Sequence, residues 1–173
     1  LPHVSMSHLI GTMSLLGILL IVGLIATSID MDLKARTMKA DLQDVAEFVG
    51  NELMGMTTLT ESSQKGDLFS YKFIDIPESV GTMGYHVSIA SDPSTGYQVV
   101  ASLDASPLTR ASAALHFRSG IVVGNATNVP PLGYSPPVQI VDSLGSGVAK
   151  AVVWCYYNTT TQLSWVGLGV FTG

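Results

Sequence analysis

The stretch LLGILLIVGLIATSIDMDLKARTMKADL, residues Leu15–Leu42, decides how the rest of the chain is read. It passes from an uncharged apolar run into a charged, amphipathic one with no proline between them. From Leu1 to Ile29 no residue is Asp, Glu, Lys or Arg, and Leu9–Ile29 matches the roughly 20 apolar residues that cross a bilayer core. A secretory leader would show a basic start, a shorter apolar core and a small-residue cleavage site. None is present, so the segment is read as part of the mature chain, with a leader expected to have been cut ahead of Leu1.

Past Ile29 the apolar positions become periodic. Met38, Leu42, Val45, Val49 and Leu53 recur at spacings of four, three, four and four, the stripe of one helical face. Asp30 and Lys34, and Asp32 and Arg36, stand four apart with the acid first, the favourable order for helical ion pairs. The pattern predicts one helix from the apolar run to about Leu53 or Met54, where Gly55, Thr57 and Thr58 offer a stop. Such a helix of about 50 residues would be roughly 75 Å long, too long for a small domain to bury along its whole face. The first half is expected to be covered by lipid or by other subunits, and the stripe to dock on a folded domain.

After the polar segment Glu61–Asp67 the period becomes alternating. Strands are predicted at Phe69–Ile76, Tyr85–Ala90, Tyr97–Leu103, Ala114–Val123, Val138–Val141, Ala149–Tyr157 and Gln162–Phe171, with turns at 92–96, 130–133, 144–147 and 158–161. The predicted fold class is α+β: a long N-terminal helix, hydrophobic then amphipathic, followed by an antiparallel β-sandwich-like head. The predicted division is a helix over 1–55, a linker over 56–68 and a β-rich head over 69–173.

Composition narrows the function. Only 12% of the 173 residues are charged and mean hydropathy is positive, against about a quarter charged in ordinary soluble domains, so much surface is expected to be covered. The net charge of −5 and the lack of a basic run argue against nucleic acid as a partner. Cys155 stands alone, which excludes an intrachain disulfide; it reads as a small buried hydrophobe, with an intersubunit disulfide as the alternative. His3, His8, His86 and His116 have no metal-ligand spacing, and Asp92, Asp104 and Asp142 do not form a calcium loop. Gly167-Leu168-Gly169 is followed by no helix and reads as room for close backbone packing, not as a dinucleotide loop. No catalytic, cofactor or metal site is predicted, and the chain is read as a non-enzyme. Two sequons, Asn125-Ala126-Thr127 and Asn158-Thr159-Thr160, are candidate N-glycosylation sites on predicted turns. Within the apolar run Gly11, Ser14, Gly17, Leu20 and Gly23 are candidates for close helix-to-helix packing.

An uncharged N-terminal segment, a single helix of about 50 residues and a β-rich head together resemble the type IV pilin-like filament subunits. The resemblance covers the whole chain and is one of layout. Leu1 and Ser5 stand where bacterial pilins hold Phe and Glu, and one cysteine cannot make the disulfide often found in their heads. The closer likeness is to archaeal adhesion pilins and archaellins. It implies a prepilin peptidase and a pilus assembly machinery as partners. It also implies a helix that sits in the cytoplasmic membrane before assembly, and self-association into an extracellular helical homopolymer used for adhesion. The alternatives are a minor pseudopilin or stator-like component of the archaellum, and a single-pass membrane protein with an extracellular ligand-binding domain.

Overall fold

A computed structural model describes residues 3–62, 68–94, 96–130, 132–133 and 135–173. Residues 63–67, Thr95 and Pro131, which belong to the expected linker and to two expected turns, lie outside the described residues. The described residues form one helix, α1 (His3–Ser62), followed by β1 (Leu68–Phe73), β2 (Tyr85–Asp92), β3 (Gly96–Leu103), β4 (Arg110–Leu115), β5 (Ile121–Val123), β6 (Val138–Val141), β7 (Ser143–Gly145), β8 (Ala151–Asn158) and β9 (Leu163–Phe171). The α+β class read from the sequence is the class observed. Two compact units divide the chain, Leu1–Met38 and Lys39–Gly173.

Among the described residues the first unit is helix alone. Its large apolar side chains from Leu9 to Leu33 are exposed, and α1 is the one helix among the described residues long and apolar enough to cross a membrane. Thr12 donates its hydroxyl to the carbonyls of His8 and Leu9, and Thr27 to that of Gly23, so these polar groups are satisfied within the helix.

In the second unit α1 is amphipathic. Leu42, Val45, Ala46, Val49, Leu53 and Met56 are all buried, and a Cβ placed on Gly50 would lie 3.5–3.8 Å from Leu115, Ala113 and Val99. The helix therefore rests on the sheet of order β4-β3-β2-β7, whose inward face carries Val99, Ala101, Leu103, Tyr85, Val87 and Leu144. The second sheet runs β1-β8-β9-β5, with β6 also on β9. Strand β9 holds β8 on one edge and divides the other: Ile121–Val123 run parallel to its first residues and Val138–Val141 antiparallel to its last. Lys72, which shares a face with Val153 and Cys155, forms an ion pair with Glu52 of α1, so this face too turns toward the helix.

The other face of that sheet has its own core around Trp154, with Val138, Val152 and Tyr156. The indole donates Nε1–H to the Leu168 carbonyl at 2.9 Å. A Cβ on Gly167 would meet Trp154 Cζ2 at 2.7 Å, and one on Gly169 would clash with Val138 Cγ1. These glycines make room for a tryptophan beside close-packed backbone, the role expected of them.

Three local expectations change. The helix does not stop near Leu53 or Met54 but continues through Gly55 to Ser62, because the stripe extends to Met56 and Thr57 and the Thr57 and Thr58 hydroxyls bond the helix's own Met54 and Gly55 carbonyls. The single strand expected over Ala114–Val123 is two, β4 and β5, parted at Gly120, whose φ of 93° breaks an extended run. β7 was not expected: three residues ending in glycine carry no alternation to read, and only pairing with His86–Ser88 defines them.

Candidate functional site

Three features of the described residues have the composition to meet a partner: the exposed half of α1, the two flanks of its buried half, and the loops that carry the sequons.

On the exposed half, Gly11, Ser14, Gly17, Leu20 and Gly23 all lie in α1, and a Cβ on any of the three glycines would meet nothing within 4 Å. Their spacing of three falls about 60° short of a full turn at each step, so the row winds round the helix instead of marking one face. Such a row offers a close approach to several neighbours from different sides. Asp30 and Lys34 pair at 2.7 Å, and Asp32 and Arg36 at 2.8 Å; all four are exposed, so each pair contributes only a few tenths of a kcal/mol.

The stripe expected to dock is buried at Leu42, Val45, Val49 and Leu53, with Met38 half-buried. Successive helical residues step by about 100°, which places Asp41, Asp44 and Phe48 on one flank of the stripe and Lys39, Gln43 and Glu47 on the other. The first flank borders a groove of about 410 Å³ with Val45 and Phe48 in its wall and Asp75 and Val80 across from them. The second borders a pocket of about 460 Å³ lined by Lys39, Gln43, Arg110, Gln98 and Ser112. Gln43 Nε2 donates to the Ser112 carbonyl at 3.2 Å and to Glu47 Oε1 at 2.8 Å, which ties this flank to edge strand β4.

The sequons differ. Asn125 is half-buried in an exposed loop, and its Oδ1 accepts from the amides of Thr127 and Asn128 and from the Thr127 hydroxyl. Asn158 is only 9% exposed. It ends β8 instead of lying free on the turn, and its Oδ1 accepts from the amides of Thr160 and Thr161.

One arrangement was missed from sequence. His86 Nδ1 lies 2.8 Å from Asp104 Oδ1, and its Nε2 lies 2.9 Å from Ser102 Oγ. This is the connectivity of a serine–histidine–carboxylate triad, yet Ser102 is 6% exposed and is the penultimate residue of β3, directly opposite His86 and Arg110 in the ladders. The chain of bonds ties β2 to the end of β3 as a polar clamp. The only readable signal was that residues 102 and 104 stand two apart at the end of a predicted strand. Asp92 instead accepts from the Ser94 amide, and Asp142 from the Ala126 amide. Cys155 is fully buried, so an intersubunit disulfide would require opening the core.

Comparison with protein-family models, curated proteins and solved structures returns no match to this chain. The layout itself, a long apolar N-terminal helix followed by β-sheets, is loosely pilin-like.

Proposed function

We propose that the chain is a structural subunit of an extracellular archaeal type IV pilus, with surface adhesion as its role. In this reading the N-terminal helix is held in the cytoplasmic membrane before assembly, a prepilin peptidase and an assembly machinery handle the precursor, and the helices then pack into the core of a homopolymer.

The observation that carries the reading is the exposed apolar surface from Leu9 to Leu33 on a helix whose continuation is a core element of a β-rich unit. Each Leu or Ile left in water forgoes about 1.5–3 kcal/mol relative to burial. Summed along this half, the loss reaches tens of kcal/mol, beyond the whole stability of roughly 5–15 kcal/mol of an ordinary domain. Lipid and neighbouring helices are the two covers such a surface accepts, and the small residues along it favour a stage with neighbours, since a lone lipid-facing span needs no close approach.

Shearing filaments from the cells that make the protein, followed by electron microscopy and mass spectrometry, tests the proposal. The chain is expected as the main filament protein; filaments that lack it refute the reading. Gly17→Leu is expected to abolish filaments while the membrane-inserted level of the chain stays unchanged. Outside its own helical turns a Cβ there meets nothing of the chain within 4 Å, so lost assembly reports on a neighbour.

A further inference from the structure

The two flanks of α1 in the second unit carry opposite charge. The groove on one side has three carboxylates, Asp41, Asp44 and Asp75, around the apolar Val45, Phe48 and Val80, and no Lys or Arg among its lining residues. Phe48 is 39% exposed there, so its own chain leaves part of the ring uncovered. The pocket on the other side has two cations, Lys39 and Arg110, with the amides of Gln43 and Gln98 and the Ser112 hydroxyl. Among the described residues neither Lys39 nor Arg110 has an ion-pair partner. The one helix carboxylate on this flank, Glu47, lies outside the pocket lining and accepts from Gln43.

We infer that these two surfaces bind each other between copies of the chain: the Lys39–Arg110 pocket of one subunit docks on the Asp41–Asp44–Asp75 groove of the next and covers Phe48. The occupant is a second copy because the complement of each surface is present on the same molecule, in similar size, on opposite flanks of one helix. A contact that joins two different patches is heterologous, and it propagates as an open chain unless its rotation closes a ring. Both surfaces present exposed charge around a partly apolar floor, so the contact aligns partners by complementary potential while Phe48 supplies an aromatic anchor.

The inference deepens the filament reading, and the experiment separates the two. Full-length chain, half of it ¹⁵N-labelled, is purified in detergent and treated with a zero-length carbodiimide, which joins a lysine amine to a carboxylate in direct contact. Mixed-isotope cross-links from Lys39 to Asp41, Asp44 or Asp75 are expected. Asp44→Lys and Arg110→Glu should each lower their yield about tenfold, since like charges then face each other, and the double variant should restore it to within about twofold. Both positions are exposed, and thermal melts of each variant monitor folding. The absence of mixed-isotope links in the wild type, single variants that cross-link as well as the wild type, or a double variant no better than the singles would each overturn the pairing. Wild-type chain that forms filaments without these links leaves the filament reading standing and removes the groove contact. Links without filaments do the reverse.

Discussion

Leu20 and Leu53 are the same side chain on the same helix, 66% and 0% exposed respectively, and truncating each to alanine separates what the two halves of α1 do. Leu53 packs in the stripe between Val49 and Met56, and Leu53→Ala removes buried methyl groups and leaves a cavity. That change costs about 2–5 kcal/mol in a well-packed core. For a unit of this size each kcal/mol moves the midpoint by about 3–5 °C, so a fall of about 6–25 °C is expected. Leu20→Ala removes the same atoms from a surface its own chain does not cover, and should leave the midpoint within the ±0.5 kcal/mol or so of ordinary surface changes. Near-ultraviolet circular dichroism reports the second unit selectively, because Trp154 is fully buried there. The assay is a melt of full-length chain in detergent for both variants. If Leu53→Ala melts within about 1 °C of the parent, or if Leu20→Ala falls as far, the division of the helix into a free half and a core half is wrong.

Three further outcomes follow from single positions. Gly55 lies inside α1 at a helical φ, and a methyl group placed on it would meet nothing within 4 Å, so Gly55→Ala should raise stability by about 0.5–1 kcal/mol; a loss in a denaturant titration would mean that the helix ends there. Burial pushes the Tyr85 hydroxyl from its ordinary 10.0 up to about 12 while it donates to the Pro77 carbonyl; the neutral form is therefore favoured by folding, its contribution is complete below pH 10 and lost as pH rises toward 12. Melts taken across that window should fall more steeply for the parent than for Tyr85→Phe, equal slopes being the contrary result. Glycopeptide mass spectrometry should find any N-linked glycan at Asn125 and not at Asn158, whose side chain is tucked into the β8–β9 turn; occupancy at Asn158 alone would contradict the burial argument.

What could be read from the sequence was what depends on near neighbours. The stripe from Leu42 to Leu53 and strand Val138–Val141 are local patterns, and the structure has them where the periodicity puts them, while the turn predicted at 158–161 lies one residue on, at 159–162. The helix end was misplaced because Gly55, Thr57 and Thr58 are stop signals only when no tertiary contact lies beyond them, and Met56 and Thr57 have one. The split of β4 from β5 and the existence of β7 follow from pairing with β9 and β2, partners far along the chain. The clamp of His86 with Ser102 and Asp104 depends on the β2–β3 register in the same way. The opposite flanks of α1 were half legible: the phase of Lys39 against Asp41 and Asp44 is in the sequence, whereas Asp75 and Arg110 join them only through the fold.

In the filament reading the exposed half of α1 trades one apolar cover for another. Lipid tails are as apolar as leucine side chains, so leaving a bilayer for a bundle of like helices gains little from the hydrophobic effect itself. The net drive has to come from elsewhere. One source is close packing where Gly11, Ser14, Gly17 and Gly23 let backbones approach, which a bilayer cannot match because its chains are fluid. The other lies in the second unit, where covering Phe48 and pairing Lys39 and Arg110 with the opposing carboxylates happens only between copies. Because the row of small residues winds round the helix, it tolerates neighbours at several angles and does not select one. The charged flanks, tied to the sheet through Gln43 and the close approach at Gly50, are what can set a single angle between subunits. The apolar half then supplies the cohesion, and the few charges this chain retains supply the register.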